Sequence, residues 1–264
     1  MQRFSWLLVG VFIFLSKPGF AEKIRLSYEG FLGPFFVISG VVELTLSAAS
    51  YEVKTTSKTE GFGWWFFPWR NAATSTGRNI NGELYPRKFY MKAKWNNRVR
   101  DVELLFNNLK PEIKKITPSS TFVENTPVKN DLTSKTVDPL SMAVTLMITM
   151  GREERCPGKF RVFDGRRRYD LSFSEETRKV LEQRLSTTFS ESTRSCAMSI
   201  TRIAGFWNES EIITKTKGLP RIWLGRPVKE LPMVPVKFEA NYRFGVICIY
   251  LTALQAGSII RTLD

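Results

Sequence analysis

At 264 residues the chain suits one large β domain or two smaller ones. It carries 39 Lys and Arg against 25 Asp and Glu, a formal charge of +14, and no histidine; that absence excludes Ser-His-Asp and Cys-His catalysis and any zinc site that needs imidazole. Apolar residues at 43% and charged residues at 24% are ordinary globular usage and exclude wholesale disorder.

The first 21 residues read as a cleavable export signal. Arg3 gives a positive start, Phe4 to Leu15 is an apolar run broken only by Ser5 and Gly10, and Gly19-Phe20-Ala21 puts small residues where cleavage before Glu22 needs them. The run is shorter than the roughly 20 residues that span a bilayer, and no cysteine follows the cut to take a lipid. Loss of Arg3 and Lys17 leaves 37 basic and 25 acidic side chains, or +12. The expected product is a soluble periplasmic domain over 22–264.

Period-two alternation dominates the mature chain. Ile24, Leu26 and Tyr28 alternate with Arg25, Ser27 and Glu29; Tyr51, Val53 and Thr55 with Glu52, Lys54 and Thr56. Phe89 to Trp95 and Val102 to Phe106 continue the pattern, and turn signals fall at Asn81-Gly82, Asn96-Asn97, Asp164-Gly165 and Asn241. After the first two groups comes the most unusual stretch, Gly61 to Arg70, in which six of the eight residues from Phe62 to Trp69 are aromatic. Such rings either build a core or line a ligand mouth or membrane contact beside Arg70. The candidate binding residues here are Trp64, Trp65, Phe67, Trp69 and Arg70.

From Asn107 to Val137, with Pro111, Pro118 and Pro127 among Ser, Thr, Asn and Lys, the chain reads as a long mobile loop. A helix follows: Asp138 caps it, Pro139 takes the first helical position, and Leu140, Val144, Met147 and Ile148 share a face. Ser174 to Leu185 is open between helix, favoured by its Glu, Arg and Lys residues, and strand, favoured by its neighbours. Later strand candidates are Phe160 to Phe173, Arg194 to Ile203, Ile222 to Leu224, Val234 to Ala240 and Tyr242 to Leu251. The predicted fold class is mainly β, a curved antiparallel sheet or half-open barrel with one or two short helices.

Three cysteines in an oxidising compartment allow one bond. Spacing alone does not choose the pair. Cys248 sits in the most continuously apolar strand, Val246 to Leu251, where a free thiol packs as a small hydrophobe. Cys156–Cys196 is therefore the expected disulfide.

Gly77-Arg78, the run Gly82 to Arg87, Asp138 to Ser141, Cys156, Val162 to Leu171, Cys196, Ile203 to Phe206 and Pro220 to Trp223 together resemble a family of uncharacterised exported proteins of Gram-negative bacteria, a domain of unknown function. The resemblance runs over nearly all of 22–264 and implies a periplasmic, mostly antiparallel β domain with no assigned chemistry. In outline such domains are similar to the half-barrels of periplasmic lipoprotein carriers, an architectural analogy that does not fix function.

Arg166, Arg167 and Arg168 follow the Asp164-Gly165 turn and are either a phosphate or carboxylate contact or a solvated sheet edge, with Asp170 a partner for one of them. Two classes of function remain open. One is a non-enzymatic envelope protein that holds an anionic lipid, lipopolysaccharide or other amphiphile in its curved sheet, with peripheral membrane contact and no nucleic acid, or that docks to the envelope without a ligand. The other is a hydrolase with a carboxylate pair such as Asp164 and Asp170, or Glu211 with another acid. No catalytic residue, metal site or cofactor is expected from any motif.

Overall fold

The computed structural model describes residues 22–118, 128–181, 189, 191–206, 218–242 and 245–263. The stretch expected to be an export signal, 1–21, and Glu211 lie outside the described residues. Alternation becomes a meander of β1 (Glu22–Leu32), β2 (Phe35–Leu46) and β3 (Ser50–Thr59), then a short helix α1 (Gly61–Phe66). It continues through β4 (Trp69–Ile80), β5 (Glu83–Trp95), β6 (Arg98–Asn107) and β7 (Lys110–Thr117). A 3-10 turn at Asn130–Thr133 precedes the long helix α2 (Pro139–Glu153). The second half adds β8 (Lys159–Phe163), β9 (Arg168–Val180), β10 (Ser192–Ala204), β11 (Arg221–Gly225), β12 (Val234–Tyr242), β13 (Gly245–Ala256) and β14 (Ile259–Thr262).

All fourteen strands belong to one sheet in the order β7-β6-β5-β4-β3-β2-β1-β13-β12-β11-β10-β9-β8, with β14 beside the far half of β13. Every ladder between neighbouring strands is antiparallel. β7 and β8 are the two ends of the order, so the sheet is open. Curvature nevertheless brings its ends together. A Cβ at Gly165, in the turn after β8, would lie 2.3 Å from Val102 of β6, and Arg166 Nη2 donates to the Thr117 and Pro118 carbonyls at the end of β7. Thr136 N donates to Leu109 O and Val137 N to Arg161 O, so that segment bridges the β6–β7 turn and β8. Main chain and side chains close the gap where no ladder does.

Helix α2 packs on the inner face of this curve. Its Val144, Leu146, Met147 and Met150 pack in one buried cluster with Ile24, Leu26, Leu44, Val53, Leu84, Leu251 and Leu254 from the strands. Each such aliphatic side chain contributes about 1.5–3 kcal/mol relative to exposure. Both ends of the helix are pinned. Asp138 Oδ1 accepts from the Leu140 and Ser141 amides, and its Oδ2 accepts from Ser75 Oγ and Ser141 Oγ. The Tyr51 hydroxyl lies 2.6 Å from Ser141 Oγ, and burial pushes its pKa up to about 12. Gly77 is required there because a Cβ would meet the Tyr51 ring at 2.6 Å and Tyr85 O at 2.2 Å. At the other end Arg152 Nη1 donates to Asn81 O in the β4–β5 turn.

The disulfide joins Cys156 to Cys196, with Cα atoms 6.0 Å apart, and Cys248 is buried and reduced. Two sequence expectations are corrected and one open alternative is resolved. Part of the expected loop is β7, which pairs with β6 through a turn whose Asn108 and Leu109 take positive φ; Pro111 is tolerated because β7 is an edge. Ser174 to Val180 is strand, because pairing with β10 over-rides helix propensity, while 182–185 lies outside the described residues. Asn241 is inside β12 rather than in a turn.

Candidate functional site

From Gly61 to Phe67 the aromatic stretch is neither strand nor core, while Trp69 and Arg70 begin β4. Pro68 and the positive φ of Gly61 (+49°) bound a single helical turn, α1, that buries none of its residues. It is fixed to the sheet through its flanks: Glu60 N donates to Val37 O, Thr59 Oγ1 to Phe67 O, and Trp69 N to Thr59 Oγ1. Trp65 is 84% exposed and Phe66 72%. Phe67 packs on Trp95 with ring centroids 4.7 Å apart, and Trp69 is half-buried at the start of β4. The β1–β2 turn adds Phe35 and Phe36, with Phe35 stacked on Phe62 at 6.0 Å.

Beside α1 runs a groove of ≈ 700 Å³ across β1 to β5, lined among others by Lys58, Arg70, Lys92 and Lys94. These four alternate along their strands with the inward Val53, Ala73 and Phe89, which places them on the face turned away from α2. Register sets Glu29, Ser39, Lys58, Arg70 and Lys94 opposite one another in a single row. The adjacent row is Ser27, Val41, Thr56, Ala72 and Lys92. Small side chains make the floor and cations the wall. Like charges directly opposite are unfavourable in a sheet, and only part of this row is compensated. Lys58 pairs with Glu60 at 2.7 Å, and Lys58 and Ser39 together hold the Glu60 carboxyl below its usual range. The Arg70 guanidinium lies 5.0 Å above the Trp64 ring. Lys92 and Lys94 have no ion-pair partner among the described residues.

The three arginines predicted as a second contact sit elsewhere, at the β8–β9 turn, and none of them lines the groove. Arg168 is a structural residue: its side chain is 4% exposed, and it donates to Leu132 O, Tyr169 O and Asp170. Arg166 is spent on the Thr117 and Pro118 carbonyls, while Arg167 stacks on Phe206 at 5.7 Å. Asp164 Oδ1 accepts from the Arg166 and Arg167 amides, and burial pushes its carboxyl up. Burial acts the same way on Asp170, but Lys159 and Arg168 outweigh it and hold that carboxyl low. Among the described residues the two acids share no hydrogen-bond partner.

Similarity to known proteins accords with this geometry. A family model described as "Protein of unknown function (DUF3108)" matches residues 25–252, most of the chain. The chain belongs to the DUF3108 family. No curated protein matches it. Among solved structures, the DUF3108 chain is similar to a beta-barrel-like protein of domain of unknown function DUF1849 from Brucella abortus, at 11% identity over 90% of this chain and 99% of that one, with a TM-score of 0.52. That likeness shows the fold. Asp138 to Ser141 cap α2, and Gly205 packs on the Asp164 turn, where a Cβ would lie 1.9 Å from Arg166 O.

Sequence reading missed Phe35, Phe36, Lys58, Lys92 and Lys94. The lysines were visible only as the polar half of an alternation. Their convergence depends on register across four strand pairs.

Proposed function

We propose that this DUF3108 protein is an exported, non-enzymatic envelope protein that binds an anionic amphiphile, with the head group in the groove and the chain leading out past Trp64. The observation that carries this reading is the row Lys58, Arg70 and Lys94 beside an uncovered aromatic helix. The groove falls within the range of about 300–1,000 Å³ usual for small-molecule sites, and its cations suit phosphate or carboxylate. Helix α2 packs on the concave face, which favours the outer groove over the inner pocket that a carrier analogy implies. The export pattern and the Cys156–Cys196 bond support a periplasmic location. Separate engagement of Asp164 and Asp170 by their own donors supports a non-catalytic role.

Native mass spectrometry of protein purified from the periplasm tests this. A retained lipid-sized adduct, lost in the Lys58→Glu/Lys94→Glu variant, is expected. Protein without an adduct, or an adduct indifferent to those substitutions, contradicts the reading.

A further inference from the structure

We propose that α1 and the β1–β2 turn form a rigid wedge that docks the protein onto an anionic bilayer, a step that rests on the amphiphile-binding reading and gives it a source of ligand. Seven aromatic residues, Phe35, Phe36, Phe62, Trp64, Trp65, Phe66 and Phe67, are exposed at this one rim. Contiguous apolar surface of this kind marks an interaction site rather than ordinary surface. The wedge is preformed. Phe62 bridges the two elements, stacking on Phe35 at 6.0 Å and tilting against Phe66 at 4.7 Å. Gly63 lies so close to β2 that a Cβ would stand 3.0 Å from Val37 O.

Charge selects the occupant. At the α1 end of the sheet stand Lys58, Arg70, Lys92, Lys94 and Arg98 against Glu29 and Glu60, the latter paired with Lys58. Arg70 lies directly against Trp64, and Arg98 lies 5.8 Å from the Trp95 ring that Phe67 covers. Tryptophan and phenylalanine backed by Lys and Arg form the composition that seats a surface at the boundary of head groups and chains. Basic residues held there are drawn to an anionic leaflet, and the attraction adds with each one. With Trp65 and Phe66 in the boundary layer, Lys58, Arg70 and Lys94 fall at phosphate level, and the groove opens beside the bilayer surface.

Flotation with phosphatidylglycerol–phosphatidylcholine vesicles, against phosphatidylcholine alone, tests the docking. The full mature chain is expected to float with anionic vesicles and to lose at least about tenfold in affinity in Trp65→Ala/Phe66→Ala, at an unchanged melting temperature. Brominated lipid should quench wild-type tryptophan emission. Equal binding by the double variant overturns the proposal, as does no binding to anionic vesicles. So does a dimer in sedimentation velocity that the same variant dissolves, which would assign the rim to a second copy. Docking that fails while the mass-spectrometric adduct persists removes the wedge alone; docking without an adduct removes the groove reading and leaves the wedge.

Discussion

Arg168 and Asp170 show how a charged residue type misleads when its surroundings are not visible. Three consecutive arginines after a turn suggest a surface contact, yet Arg168, at the start of β9, is buried and donates to Leu132 O of the 3-10 turn and to Asp170. Removing the acid leaves a buried cation unpaired, so Asp170→Ala should cost about 3–5 kcal/mol, read as a shift in urea midpoint. The pair also sets an acid limit. Asp170 titrates below its ordinary range in the folded protein, so its stabilisation is full above the unfolded carboxylate pKa of about 3.9 and is lost as pH falls through the lower folded value. Urea midpoints between about pH 6 and pH 2 should decline less steeply in Asp170→Asn than in the wild type. An identical decline would assign acid sensitivity to other groups. Arg70, by contrast, lies over Trp64, six residues before it, so its contact with the aromatic stretch is local in the chain.

At the scale of elements, local signals were read best where they act locally. Asp138 and Pro139 mark the start of α2 without reference to the rest of the fold, and the cap is present as expected. Its extra partner Ser75 comes from 63 residues earlier, and Tyr51 reaches Ser141 from 90 residues earlier; neither had a local signal. Asp138→Ala removes the cap and leaves two buried hydroxyls without their acceptor, so a loss of about 2 kcal/mol or more is expected in thermal or urea unfolding. The β9 segment was open for the opposite reason: Glu175, Arg178 and Lys179 favour helix, but Glu175 accepts from the Cys156 amide and Arg178 pairs with Glu154. These contacts come from long-range pairing. The disulfide joins the chain just after α2 to β10 across a sequence separation of 40, and the chain-entropy relation gives about 4 kcal/mol for such a loop. Cys156→Ser/Cys196→Ser should lose stability of that order, and non-reducing peptide mapping should recover the 156–196 pair with Cys248 reduced.

Across the whole molecule, the strand order explains why one end of the chain and the other depend on each other. β1 pairs on one side with β2 and on the other with β13, so the first described strand and one of the last share the centre of the sheet. Mainly antiparallel β structure was legible because alternation is a property of each strand. The half-open curve was legible too, but that Gly165, Arg166 and Val137 bring its ends together was not, because those contacts depend on accumulated twist. The candidate site has the same origin: one aromatic cluster written in the sequence, and a row of cations assembled by register. Its most direct test is tryptophan emission during titration with a monomeric anionic lysolipid and a zwitterionic lysolipid of the same chain length. A saturable blue shift with the anionic lipid alone, abolished in Lys58→Glu/Lys94→Glu, is the predicted result. Equal responses to both lipids, or no response in the wild type, would contradict the assignment of the groove to an anionic head group.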